Sequence, residues 1–386
     1  MSTSLDTLIR LRAIQNKSRA LLNDMDEDTY STTHIPALHS IAWHLACGIF
    51  IENYFLRDVI QGNKKTTKKL YPLFFRIKPS LFRFRPGLPS LKQAPELIKQ
   101  QQDQNDIWLL EKTPPLSEHP LFENEYIENY IIQHYAKQYE QLQHLLDQAA
   151  INSDEGDYRP VQVLSSRPLL QDLVCIDTGA YEIGSNDIFA SDIEQPEHSV
   201  QLDCFNIASQ PVSNAEYLMF MESGGYQQQD HWSEHGWQWR NENNIQNPHH
   251  WKQNDHNEWY GIEQETAVDL AADDPVYGLS FFEACAFAHW AKARLPHENE
   301  WEAAARSNTL ANTGQVLEWC HNNFFYYEGF KPFPVMPPLQ TASEPHCNML
   351  RGASKITRPE RRRISIRHSY TADSRHIPAG LRLVFS

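Results

Sequence analysis

HYAKQYE, residues 134–140, is the stretch whose residue types and spacing come nearest to a metal site. It lies in IENYIIQHYAKQYEQLQHLLDQAA, where apolar residues recur at helical spacing. Side chains four apart share a helix face, so a His with a second donor at i+4 can close on one ion. Here the residue four after His134 is Gln138, a neutral, hard oxygen donor in place of an imidazole. His144 does not restore the pair, standing about 80° round the helix from His134 and about 15 Å along its axis. From these residues alone, His134 reads either as part of a metal centre completed elsewhere or as a hydrogen-bonded imidazole on a buried helix face.

The elements that would position such a site can be traced along the chain. Leu8, Leu11 and Ile14 mark one face of a first helix, continued by Leu21 and Leu22. A second helix is predicted from about Pro36 through ALHSIAWHLACGIFIENYFLRDVI, a third over APELIKQQQDQNDIWLL, and the fourth carries His134. Four helices with medium connections predict an antiparallel bundle over residues 1–150, the kind of core in which facing helices assemble metal and cofactor sites. Residues 151–170 are polar and proline-bearing, the composition of a linker. From 171 to 386, short apolar runs alternate with Gly, Pro, Asn and Trp-rich loops, with helices predicted at SNAEYLMFMES and SFFEACAFAHWAKA. The fold class expected is an all-α part followed by a loop-rich α+β domain.

Bulk properties narrow the function classes. The 386 residues allow two or three domains, and 34 basic against 49 acidic residues give a net charge of −15. That balance argues against general nucleic-acid binding, which wants a basic footprint. Six cysteines at irregular spacing, with no CxxC pair, read as free thiols of a reducing compartment. No apolar core of signal-peptide type opens the chain and no run is long enough to span a membrane, so a cytoplasmic protein without membrane partners is expected. The local exception is residues 64–86, with eight basic residues, no acid and interleaved aromatics. It reads as a solvated loop or as a patch for RNA or acidic lipid.

The strings RLPHENEWEAAAR (294–306), GQVLEW (314–319), RGAS (351–354) and AGLRL (379–383) resemble the formylglycine-generating-enzyme-like fold of the sulfatase-modifying family, a C-type-lectin-like architecture. Trp301, Glu302 and Trp319 within them are expected to be scaffold. With SIAWHLACGIFIENYFL and HYAKQYE added, the whole chain resembles the iron-dependent sulfoxide synthases of ergothioneine, ovothiol and selenoneine biosynthesis, which place a DinB-like four-helix bundle before that domain.

The resemblance implies Fe(II) held by three histidines, one from W-x-L-x-H and two from H-x3-H-x-E. Residue by residue, Cys47 stands where the first His belongs, His134 is retained, and Gln138 replaces the third. Cys47 is a soft ligand that would change the charge of the site, and His44, three residues earlier, is a possible substitute. The family's proton-donating tyrosine aligns with Phe324, with Tyr327 at a second site position. Phe cannot donate a proton. The substrate segment aligns with Arg367, His368 and Ser369, and Arg375 offers a forked donor for a carboxylate. Arg83 or Arg85 falls where an arginine helps bind the sulfur donor.

The function implied is formation of a C–S or C–Se bond between a thiol or selenol donor of cysteine type and a histidine-derived betaine. The alternative is a catalytically inactive relative that binds a small molecule or a partner protein in the cleft between the two parts. A third reading, an adaptor acting through residues 64–86, is opposed by the net charge.

Overall fold

The computed structural model describes residues 3–65, 67–74, 88–170, 172–332 and 347–385. The N-terminal part is helical: α1 (Leu5–Ala20), α2 (Glu27–Ser31), α3 (Ile41–Asn53), α4 (Tyr71–Phe74), α5 (Ala94–Glu111) and α6 (Tyr126–Ser153). α1 starts at Ser4, whose hydroxyl accepts the Thr7 N–H at 3.2 Å and so satisfies one of the free donors at the helix start. Leu8, Leu11 and Ile14 are buried, as their spacing predicts. α3 begins at Ile41 rather than near Pro36, because Ser40 takes the extended N-cap conformation. It runs into a π-helical segment at Tyr54–Val59. α1 and α3 both pack on α5 and α6, around a core that includes Leu11, Ile51, Phe55, Ile131 and Ile132.

A β-rich part follows. Its strands are β1 (Leu173–Ile176), β2 (Gly179–Ile183), β3 (His198–Leu202), β4 (Phe205–Ala208), β5 (Trp251–Gln253), β6 (Trp259–Glu263), β7 (Thr266–Asp269), β8 (Leu317–Asn323), β9 (Cys347–Arg351), β10 (Arg367–Thr371), β11 (Ala379–Gly380) and β12 (Val384–Phe385). They form small sheets ordered β1-β4-β12, β10-β9-β8-β11, β2-β3 and β5-β6-β7, antiparallel except for β11 against β8. Four helices, α7 (Asn214–Glu222), α8 (Glu234–Glu242), α9 (Phe281–Trp290) and α10 (Glu298–Arg306), complete it. α7 and α9 each open with a Ser–x–x–Glu capping box. The arrangement is therefore a helical part followed by a β-rich part, an α plus β architecture.

Buried and partly exposed ion pairs hold the loop-rich region in register. Three glutamates of RLPHENEWEAAAR each receive an arginine. Glu298 accepts two 2.8 Å bonds from Arg367, Glu300 two 2.7 Å bonds from Arg294, and Glu302 binds Arg351 and Arg306. Trp301 lies in the core, donating its indole N–H to Glu318 at 2.7 Å, and Glu318 also pairs with Arg382 of AGLRL. Such pairs add little net stability but penalise any packing that leaves one charge alone. The most distinctive strings in the sequence are thus scaffold. Segment 154–170 has no regular structure, yet Asp269 accepts the Tyr158 hydroxyl at 2.8 Å and the amides of Val161 and Gln162. Among the described residues, no helix is long and apolar enough to cross a membrane.

Candidate functional site

α6 decides which donors meet. At about 100° per residue, Gln133, Lys137, Glu140, His144 and Asp147 fall on one side, and Tyr135, Gln138 and Leu142 on the other. The first side meets the β-rich part. Gln133 donates to the Phe189 carbonyl at 2.7 Å and accepts from Arg363 at 3.1 Å. Glu140 pairs with Arg361 at 3.1 Å, Asp147 accepts the Glu265 amide at 3.0 Å, and Gln148 bonds His249 at 2.8 Å. The second side faces the other helices. His134 stands on the boundary between the two.

The imidazole of His134 stacks at 6.5 Å on the Tyr130 ring, and its Nε2 is buried with no hydrogen-bond partner. Burial, with Lys137 and Arg361 adding positive charge, brings its pKa down to about 3, so the ring is neutral at physiological pH. Lys137 is exposed in area, yet desolvation, followed by the charge of Arg361, lowers its pKa. Its neighbours at this seam are Glu140, Asp192 and Arg361. Across the cleft, His368 on β10 is buried, with Nε2 unpartnered and the ring bonded to the Gly352 backbone. Burial and the charges of Arg361 and Lys137 bring it, too, to about 3. Tyr370 closes the same wall, its phenol pushed up to about 12 by burial and by Glu140. Glu194 behaves differently. Burial raises it, but the hydrogen bonds and charge of Arg363, with Ser365, outweigh burial and leave it at about 2.

Lys137, Arg361 paired on one edge with Glu140, the Tyr370 phenol and two neutral imidazoles with buried, unpartnered Nε2 atoms thus cluster at this seam. This is a set for a small polar molecule that carries a carboxylate and hydrogen-bonding nitrogens. Lys137 and Arg361 were not singled out from the sequence. Only the run RPERRR (358–363) hinted at the second, and 221 residues separate it from Glu140.

The donors read from the sequence as a metal set divide differently. Cys47 is buried on α3 in the apolar helical core, within electrostatic reach of the Tyr130 phenol. His44, one turn earlier, is buried edge-on to Trp43 at 5.2 Å. Gln138 turns toward α3, where its Oε1 would lie 2.5 Å from a Cβ placed on Gly48. Its amide thus fills the close approach of two helices. Among the described residues, no three His, Cys, Asp or Glu side chains converge as a metal group. The donor set does not fit a three-histidine Fe(II) centre.

Phe324 and Tyr327 sit in the β-rich part, covered by one guanidinium. Arg367 lies 4.8 Å above the Phe324 ring and 3.9 Å above that of Tyr327. Phe324 is a core residue beside Trp301 and Met349. The Tyr327 hydroxyl is buried without a partner, its pKa raised to about 12 by burial, and its ring meets His198 at 4.4 Å. Arg367 is filled by Glu298 and by the carbonyls of Ile193 and Phe325 at 2.8 Å. Arg375 is filled by Glu283 at 2.9 and 3.1 Å. The chain's own carboxylates occupy both forks, so neither is open to a substrate carboxylate. Arg83 and Arg85 lie outside the described residues.

Residues 161–313 match the family described as Sulfatase-modifying factor enzyme 1-like domain. The chain is 36% identical over 135 residues to hercynine oxygenase from Mycolicibacterium thermoresistibile, covering 35% of this chain and 29% of that protein. It is 38% identical over 128 residues to hercynine oxygenase from Mycolicibacterium smegmatis, covering 33% and 29%. Formylglycine-generating enzyme from Mycobacterium tuberculosis is 27% identical over 177 residues, covering 37% of this chain and 54% of that enzyme. Among solved structures, PvdO from Pseudomonas aeruginosa aligns with a TM-score of 0.39 and 13% identity over 59% of this chain and 98% of its own. The matches to the hercynine oxygenases span under a third of their length. Residues 161–313 are thus similar to the sulfatase-modifying factor enzyme 1-like domain, and about a third of the chain is similar to hercynine oxygenases.

Proposed function

We propose that this chain binds a small histidine-derived molecule in the cleft between α6 and the β-rich part, on a scaffold shared with hercynine oxygenases, without a three-histidine iron centre. The observation that carries this reading is the division of labour on α6. His134 holds a neutral, unpartnered Nε2 buried at the seam where Lys137, Glu140 with Arg361, His368 and Tyr370 cluster. The i+4 residue, Gln138, is spent on packing against Gly48. A carboxylate would lie against Lys137 and Arg361, and an imidazole or ammonium edge against the two unpartnered imidazole nitrogens.

A second reading is favoured by the likeness to hercynine oxygenases. In it the chain is a sulfoxide-synthase-type enzyme, joining a thiol or selenol donor to a histidine betaine with Fe(II) on an altered set of Cys47, His134 and Gln138. One experiment separates the two. The protein is loaded with Fe(II) anaerobically, desalted and analysed for metal, beside a C47H/Q138H variant, and each is screened by thermal shift with Nα,Nα,Nα-trimethylhistidine. The first reading expects sub-stoichiometric iron in the wild type, iron gained only by the variant, and a ligand-induced rise in melting temperature insensitive to chelator. Stoichiometric iron with thiol-dependent oxygen uptake in the wild type would sink it and establish the second.

A further inference from the structure

Two turns beyond Glu140 on α6, a separate cavity lies at the seam. Asp147 of α6, Glu263 of β6, Asp269 of β7 and Asp274 in the following loop line it, with Lys355 as the single lysine or arginine. The histidines there are neutral: burial holds His144 well below its ordinary value and brings His250 to about 4. The Lys355 ammonium lies 3.3 Å from both Glu263 and Asp274, at a partly exposed edge, and so offsets one charge of four. Asp147 is buried, and burial lifts its carboxyl to about 7 although the Glu265 amide donates to it at 3.0 Å. Such a lining favours a cation.

Two further lining residues each hold an unused acceptor. Asn214, at the start of α7, donates its amide N–H to the Ala271 carbonyl at 2.8 Å, and its Oδ1 is buried with no partner. His250, just before β5, donates Nδ1–H to the Ile262 carbonyl at 3.2 Å. That bond fixes the tautomer and leaves Nε2 as an acceptor, also buried with no partner. A buried acceptor without a donor is costly, so both residues point to a donor-bearing ligand. The cavity measures about 50 Å³, against roughly 10–15 Å³ for one water, which is room for a group of about four heavy atoms. Among the described residues, no three His, Cys, Asp or Glu converge as a metal group, so these acceptors are not focused on one ion. A guanidinium answers each constraint: a carbon and three nitrogens, one positive charge, N–H donors directed outward in a plane, and no acceptor.

We infer that this cavity binds a small guanidinium cation, with Glu263 and Asp274 as its carboxylate partners and Lys355 as a built-in competitor for them. The site uses none of the side chains clustered around His134. The test is isothermal titration of the full-length protein with guanidinium chloride at millimolar concentration, beside urea, which has the same shape and no charge. One saturable site is expected for guanidinium and none for urea. The melting temperature should rise at these concentrations, against the ordinary destabilisation by guanidinium. K355M removes the competing ammonium and should tighten binding roughly threefold. E263Q/D274N should weaken it roughly tenfold with an unchanged circular dichroism spectrum. All three positions are partly exposed, so these variants keep the fold. Absence of saturable binding in both wild type and K355M, urea binding as well as guanidinium, or undiminished binding by E263Q/D274N would each overturn the site.

Discussion

Glu52 shows how far one residue can depart from its ordinary chemistry. It is fully buried on α3, where its Oε2 accepts the Tyr135 hydroxyl at 2.6 Å and the Gln15 amide at 3.1 Å, and its Oε1 has no partner. Burial is the largest influence, only partly offset by these hydrogen bonds, and it lifts the carboxyl to about 7. The folded state then holds a proton that the unfolded chain releases near pH 4. The sign follows from linkage: this stabilising contribution is complete below the unfolded value and is lost as pH rises through about 7. Replacing Glu52 with Gln keeps the shape and removes the proton. The stability of E52Q relative to wild type should therefore improve by on the order of 2 kcal/mol between pH 5 and pH 8, measured by urea unfolding at both. Parallel stabilities across that range would show that Glu52 titrates normally.

Between elements, the tightest constraint is the approach of α3 to α6. A Cβ on Gly48 would meet Gln138 Oε1 at 2.5 Å and Tyr135 Cε1 at 2.7 Å. Gln138 could swing its flexible end away, but the Tyr135 ring is held by its bond to Glu52. G48A should cost about 1–3 kcal/mol by overpacking, seen as a lower urea midpoint with an unchanged slope. G48A/Q138A should recover only part of that loss, because the ring clash remains, whereas full recovery would mean that the amide alone sets the spacing. The helices themselves were legible: Leu8, Leu11 and Ile14 announce α1, and the periodicity around His134 announces α6. The start of α3 was not, because Ser40 as a cap is distinguishable from Ser40 inside a helix only once its backbone is seen to be extended.

At the scale of the whole molecule, α6 joins the two parts along its length, from Gln133 to Asp154, which accepts the Tyr260 hydroxyl at 2.5 Å. Six histidines lie on or beside this seam. Burial lowers His134 and His368 to about 3, His250 and His376 to about 4, and His144 and His249 well below their ordinary value. A histidine kept neutral on folding contributes stability above its unfolded pKa, near 6.5, and that contribution is lost as pH falls toward the folded value. Thermal stability should therefore fall from pH 6.5 to 4.5, with both parts unfolding in one transition, since the larger shifts of these imidazoles outweigh the opposing effect of the raised carboxyls, of which Glu52 and Asp147 lie at about 7. A melting temperature flat over that range in differential scanning calorimetry would show the seam to be open to water.

What the chain determined locally was its helical periodicity, the place of His134 with Gln138 one turn on, the position of Cys47, and the string of glutamates that organises the β-rich part. Backbone preference and side-chain spacing act over a few residues, so they can be read without a fold. The tertiary structure decided what each donor touches. It turned Gln138 toward Gly48, filled Arg367 and Arg375 with Glu298 and Glu283, and brought Arg361 to Glu140 across 221 residues. Charge pairing and desolvation depend on neighbours that only long-range packing supplies. For that reason a motif with one conserved-type imidazole could be located from the sequence, while the cleft around it could not.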